Sequence, residues 1–279
     1  MFLSMAVQLG EAEPGPGEST IRAIILCGEV DLNADVGESY GLMHSGMDSE
    51  IIPHVTSVNI ATGFHSGDPD TIKKTINLAF SNNKSIGAHP SYPDLQGFGR
   101  RKIDMDIDSI ENLISYQIGA LHAFAKDKLM HVKPHGALYN NAAKDLKIAE
   151  AIFKSIDSFD ENLIHVSLAN SDWSNFLKSK KVKVASEGFA DRAYDENGHL
   201  VSRSIEGSVL HDENEIIDRV IGMVKNKTVK SITGKLIKID VDTICLHGDN
   251  KESVSLAENL KNELLNSGCE IKSLPQFVN

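Results

Sequence analysis

The residues able to do chemistry collect where apolar runs break. Ser85-Ile86-Gly87-Ala88 reads as a short strand that stops at His89-Pro90, and the loop beyond carries Tyr92, Asp94, Phe98 and the pair Arg100-Arg101. The pattern recurs along the chain. Val30 to Asp35 alternates Val, Leu and Ala with Asp31, Asn33 and Asp35, the period of a strand, and runs into Gly37-Glu38-Ser39. Ser57 to Ala61, which includes Asn59, ends in Thr62-Gly63-Phe64-His65. Met130 to Lys133 ends in Pro134-His135, Val182 to Ser186 in Glu187 through Asp191-Arg192, and Thr243 to Leu246 in His247-Gly248-Asp249. A single histidine beside a turn is more often a structural cap than a catalyst. Four of the eleven, His65, His89, His135 and His247, fall at four strand ends, and that coincidence favours one shared site.

Two chemistries fit such a set. An Asp with two or three His, with Asp35, His65 and His89 foremost, is a ligand set for Zn²⁺ or another divalent ion that activates water. Alternatively Asp35, His65, His89, His135 and His247 act as general acids and bases without a metal, while Lys133, Arg100 and Arg192 hold an anionic substrate. Asn33, Asn59, Asp68, Glu187, Asp191 and Asp249 complete the candidates for binding substrate or phosphate, with Asp31 and Asp94 projected onto the same rim. There is no HExxH or CxxC spacing to single out a metal, and no GxxxxGK[ST] loop to cradle a nucleotide.

The elements that must position these residues alternate. Asp68-Pro69 is a helix start, Asp as N-cap and Pro at the first helical position. Apolar stripes then predict helices from there to Ser81, over about 108–126, 142–155, 212–224 and 252–266, with a short one at 48–54. Residues 228–242 read as a hairpin over Thr233-Gly234. Seven strands, nearly all followed by a helix, demand a parallel sheet. An open doubly wound sheet gathers its site at a switch point between two or three strands. Polar residues at almost every strand end instead predict closure into a (β/α)7 barrel with its active site at the C-terminal strand ends. An eight-stranded barrel and a flavodoxin-like sheet are the alternatives.

Bulk properties narrow the function class. At 279 residues, 41% hydrophobic and 24% charged, the chain suits one barrel domain, placed here at 29–279. Residues 1–28 include the Pro/Gly/Glu-rich GEAEPGPGEST and read as a flexible or vector-derived extension. A net charge of -11 speaks against nucleic acid, which needs a concentrated basic face. No run approaches the roughly 18 apolar residues of a membrane helix, and the N-terminus lacks the charged leader of a signal peptide. Three scattered cysteines, Cys27, Cys245 and Cys269, fit a reducing compartment. Together these predict a cytoplasmic protein.

Six motifs in order, VDLNADVGES, VNIATGFHSGDP, IGAHPSYPDLQGFGRR, VKPHGALYN, EGFADRAY and DTICLHGD, closely resemble the LamB/YcsF family. The resemblance spans about residues 29–279 and implies the A subunit of a bacterial-type 5-oxoprolinase. It thereby implies hydrolytic opening of 5-oxo-L-proline to L-glutamate, with ATP as cosubstrate and with partner subunits B and C. It further implies a barrel akin to the glycoside hydrolase/deacetylase superfamily, with an Asp-His-His metal site at the strand ends. One departure stands out: Thr62 occupies a position where the family usually has Cys, which rules out a thiol role there. On this reading Asp35 or His65 handles the proton or water, His89 and His135 stabilise developing charge, and Lys133, Arg100 and Arg192 clamp carboxylate or phosphate. The rival readings are a metal-dependent carbohydrate deacetylase and a scaffold subunit without catalysis.

Overall fold

The computed structural model describes residues 27–248 and 250–278. Most of the expected extension, with its apolar run at 21–26 that suggests a small extra strand, and the candidate Asp249 lie outside those residues; Cys27 and Gly28 open the first strand.

The strands in order are β1 (Cys27–Val36), β2 (Ser57–Ala61), β3 (Ser85–His89), β4 (Leu129–Val132), β5 (Ile164–Leu168), β6 (Val184–Phe189), the hairpin pair β7 (Thr228–Lys230) and β8 (Leu236–Lys238), β9 (Thr243–Leu246) and β10 (Cys269–Ile271). Neighbours β1 through β6 pair in parallel, and β9 closes the ring by pairing with both β6 and β1. The seven-stranded barrel expected from the strand ends is therefore present. Helices pack outside it: α1 (Asp48–Ile51), α2 (Pro69–Ser81), α3 (Ile107–Ala125), α4 (Gly136–Ala142), α5 (Leu146–Phe159), α6 (Asp172–Lys180), α7 (Glu213–Ile221) and α8 (Lys251–Asn266). No described helix is long and apolar enough to cross a membrane.

Three elements differ from expectation. The helix expected over 142–155 is two, because Asp145 accepts the backbone N–H of Lys147 and starts α5 afresh. Strand β6 runs to Phe189, three residues further, because Glu187 belongs inside the barrel and not in a loop. The short β10 went unforeseen; it pairs with the first residues of β1, and its three residues carry too little pattern to read.

Period-two alternation explains the unusual interior. On β1, Val30, Leu32, Ala34 and Val36 are buried in the apolar core that the helices cover, while Asp31, Asn33 and Asp35 turn into the barrel. Burying such residues is costly unless they are hydrogen-bonded, and here they are. Gly87 on β3 is required for the same reason: a Cβ there would collide with the imidazole of His131. The space lets His131 donate across to Asn59 Oδ1 at 2.8 Å.

Asp31 lies four residues before Asp35 on β1, one layer lower in the barrel, and so is not a rim residue as projected. Its Oδ1 accepts from Thr56 Oγ1 at 2.7 Å and Ser57 Oγ at 2.5 Å, and its Oδ2 from Thr243 Oγ1 at 2.5 Å. Burial outweighs these bonds and pushes its carboxyl from 3.8 up to about 6. A group with a raised folded pKa contributes stability that is full below its unfolded value and lost as pH rises through the folded one. Asp31→Asn cannot ionise. It is expected to lose less stability at pH 8 than at pH 5, by about 1 kcal/mol in urea unfolding. Equal losses at both pH values would contradict the assignment.

Candidate active site

Lys133, the first residue after β4, organises the upper barrel. Its Nζ donates to Asp35 Oδ1 at 2.9 Å, Asn33 Oδ1 at 3.1 Å and Cys245 Sγ at 3.1 Å, and it forms an ion pair with Glu187 Oε1 at 2.8 Å. The side chain is 3% exposed. Burial pulls its pKa down, but Asp35, Cys245 and Glu187 around it reverse the direction and hold it charged. Burial likewise pushes Asp35 up, while His89 and Lys133 bring it well below the usual carboxylate range. Asn33 and Asn59 brace this core: Asn59 Nδ2 donates to Asn33 Oδ1 at 2.7 Å and Asp35 Oδ1 at 2.9 Å. Lys133, expected to clamp substrate, is thus committed to four protein partners.

Above Asp35 stand three buried histidines whose outer nitrogens are all held. His89 Nδ1 donates to the Lys133 carbonyl at 2.6 Å and His135 Nε2 to the Phe98 carbonyl at 2.8 Å. Carbonyls only accept, so these two nitrogens carry the protons. Ser91 donates its own proton to the Tyr92 carbonyl, so its Oγ accepts from His65 Nδ1 at 3.0 Å. Each ring therefore presents its other nitrogen inward. His89 Nε2 and His135 Nδ1 are 2.9 Å apart, His65 Nε2 is 3.4 Å from Glu38 Oε1, and His135 Nδ1 is 3.6 Å from the same oxygen. His89 Nε2 is also 3.3 Å from Asp35 Oδ2. Burial, then repulsion from neighbouring imidazoles, holds His65 and His135 well below the ordinary histidine pKa and neutral at pH 7.

The loop after β3 makes this packing possible. Gly99, at φ +64°, brings its backbone so close that a Cβ would lie 2.7 Å from His135 Cδ2. The GFG stretch is therefore a lining pressed against the histidines.

A cavity of about 440 Å³ opens over the site. Asp35, Glu38, His89, His135 and His247 face it, with Arg100, Lys144 and Arg203 among its lining. His65 does not; it lies behind, its ring stacked on His135 at 3.8 Å. Arg192 lines the cavity, but its guanidinium donates to the Val201 carbonyl at 2.6 Å and the Ser208 carbonyl at 3.4 Å. It shapes the 194–208 loop. Asp191 pairs with His247 at 3.0 Å and reaches the site through it.

Two candidates serve structure instead. Asp68 caps α2 by accepting from Asp70 N at 3.0 Å and Thr71 N at 3.2 Å, and binds Gly41 N at 2.9 Å. Asp94 is latched to Arg101 and Gly97 N, tying the loop together. Thr62 donates to Gln117 Oε1 at 2.9 Å, a buried packing role. Conversely Glu38, Cys245, Tyr139, Lys144 and Arg203 were missed. Glu38 had a readable signal, since it follows the first strand end as His65 and His89 follow theirs. Tyr139, fully buried beside Glu187, sits in a helix where nothing distinguishes it from core.

Residues 30–279 match the model of the LamB/YcsF family. The chain belongs to the LamB/YcsF family. Curated relatives from Campylobacter jejuni subsp. doylei and Pyrococcus abyssi, both named as the A subunit of 5-oxoprolinase, are 49% and 46% identical. The matches span 90% and 89% of this chain and 99% of each relative. The solved lactam utilization protein of Thermus thermophilus superposes with a TM-score of 0.83 at 39% identity, over 88% of this chain and 99% of that one. All six motifs quoted from the sequence fall in the LamB/YcsF match, and all six supply residues to the cavity or its supports.

Proposed function

We propose that this chain opens 5-oxo-L-proline to L-glutamate with ATP as cosubstrate, as the A subunit of an assembly with subunits B and C. The observation that carries this reading is near-full-length identity of 46–49% to relatives that bear the name of the 5-oxoprolinase A subunit. A cytoplasmic location fits this substrate and cosubstrate.

The lactam is a resonance-stabilised amide that water attacks poorly. Overall, water adds across the C–N bond, the ring nitrogen takes a proton, and the γ-phosphoryl group of ATP passes to a second water as inorganic phosphate. Phosphorylating the amide oxygen, with release of ADP, makes the carbon a better electrophile. Water adds there, the C–N bond breaks as the nitrogen takes a proton, and a second water cleaves the resulting acyl phosphate to carboxylate and inorganic phosphate. Where the reaction runs without a metal, neutral His135, facing the cavity, suits removal of a proton from water. His89, held between Asp35 and the Lys133 carbonyl, faces the position where negative charge develops. Arg100 and Arg203 on the cavity wall suit a carboxylate or phosphoryl group. Glu38, His65, His89 and His135 are the residues that would hold a divalent cation, which when bound polarises a carbonyl or lowers the pKa of water.

The test is glutamate release from 5-oxo-L-proline and ATP, by this chain alone and mixed with subunits B and C. Glutamate formed by the mixture, and lost on omitting this chain, supports the reading. A silent mixture, or equal release without this chain, overturns it.

A further inference from the structure

We propose that His131, a residue outside the six motifs, is a positioning residue for the site: through Asn59 it sets the orientation of the Asp35 carboxylate beneath His89. Its effect on turnover rests on the lactam-opening reading; its hold on Asn59 does not.

Register puts His131 in line with Asp35. Asp35 on β1 stands opposite Asn59 on β2, Asn59 opposite Gly87 on β3, and Gly87 opposite His131 on β4. These four positions form one row across the inner wall of the barrel. Because Gly87 has no side chain, the imidazole of His131 lies over β3 in the space a Cβ would fill and reaches Asn59 two strands away. The glycine is the gap through which the contact passes.

The hydrogen bonds along this row run in one direction. Asn59 Oδ1 only accepts, so His131 Nε2 carries the proton of their 2.8 Å bond. With Oδ1 held, the Asn59 amide turns Nδ2 to Asn33 Oδ1 at 2.7 Å and to Asp35 Oδ1 at 2.9 Å. Lys133 Nζ donates to the same Asp35 oxygen at 2.9 Å. Two donors thus fix Oδ1, and Oδ2 is left facing His89 Nε2 at 3.3 Å. Turned over, the Asn59 amide would set its oxygen against the oxygens of Asn33 and Asp35, and the bond from His131 opposes that rotation.

Stability alone does not account for an imidazole here. His131 is fully buried, and its Nδ1 has no hydrogen-bond partner among the described residues. A buried polar atom without a partner is destabilising, and apolar residues of like size at 131 and 59 together would remove that cost. Proton transfer does not account for it either. Burial first, then the Lys133 ammonium, lowers its pKa from 6.5 to about 3, so the ring stays neutral and serves as a donor of fixed tautomer.

The test compares His131→Gln, His131→Asn and His131→Leu. Glutamine places an N–H donor near the position of Nε2, asparagine places its amide nearer that of Nδ1, and leucine donates nothing. On the chain alone, two-dimensional NMR reads the side-chain amide protons of Asn59, identified by their absence from Asn59→Leu. In the assembly, kcat and KM for glutamate release are measured, and urea unfolding checks that each variant folds. His131→Gln is expected to leave the Asn59 signals in place and to keep kcat within about threefold of the wild type. His131→Asn and His131→Leu should shift those signals and lower kcat at least about tenfold, with KM changed by less than about threefold. A residue that only fills space gives the opposite order, with leucine at least as active as glutamine, and that order would overturn the proposal. So would Asn59 signals that His131→Leu leaves unmoved. An assembly that is silent even with the wild-type chain sinks the lactam reading, and the amide signals still decide whether His131 holds Asn59.

Discussion

Replacing Lys133 with methionine is expected to destabilise the protein by about 3–5 kcal/mol, the cost of stripping one partner from a buried ion pair. Methionine conserves the volume, so the loss reports charge and not a cavity. Without the ammonium, Asp35 and Glu187 keep their negative charges in a closed barrel, and Asn33 and Cys245 lose a donor. Urea unfolding of the wild type and Lys133→Met measures the difference. Adding Glu187→Gln should restore part of it by removing one of the two stranded charges. A loss below about 1 kcal/mol would mean that the network contributes no more than a surface pair, and the description of Lys133 as the centre of the site would fall.

The largest effect on turnover is expected at His89. Its ring touches Asp35, His135 and the Lys133 carbonyl and lines the cavity. His89→Ala removes a group poised for proton transfer and charge stabilisation together, and should lower glutamate release by about 10³-fold or more. Asp68→Ala is the matched control, from the same set of sequence candidates. It loses a helix cap worth about 1 kcal/mol but lies away from the cavity, so turnover in the assembly should hold. Unchanged release with His89→Ala would contradict the catalytic role of this cluster.

The barrel was legible because each element carries its own signal. The apolar stripes of α3 and α8 and the Asp68-Pro69 start place helices nearly to the residue, and polar strand ends imply closure. The gathering of the site residues at one end of the barrel was also readable: Asp35, His89, His135 and His247 line one cavity, and His65 lies stacked behind His135. Their division of labour was not. Lys133 and Arg100 look alike in sequence as cations near a strand end. Which one meets ligand depends on partners from other strands, Asn33 and Asp35 from β1, Glu187 from β6 and Cys245 from β9, that no local pattern reveals. Asp31 and Asp35 likewise differ by two strand repeats. One ends on the floor under three hydroxyls and the other beneath the histidines. Glu38 was passed over because an acid beside glycine and serine looks like an ordinary turn.

The proposed function requires the cluster on the barrel rim to open a lactam at the expense of ATP. The most direct measurement counts glutamate against ADP in the reconstituted mixture, with this chain present, absent, or carrying His89→Ala. Glutamate and ADP are expected to rise together with the wild-type chain, and glutamate to be abolished in the other two cases. Glutamate released at the same rate whether or not this chain is added would contradict it.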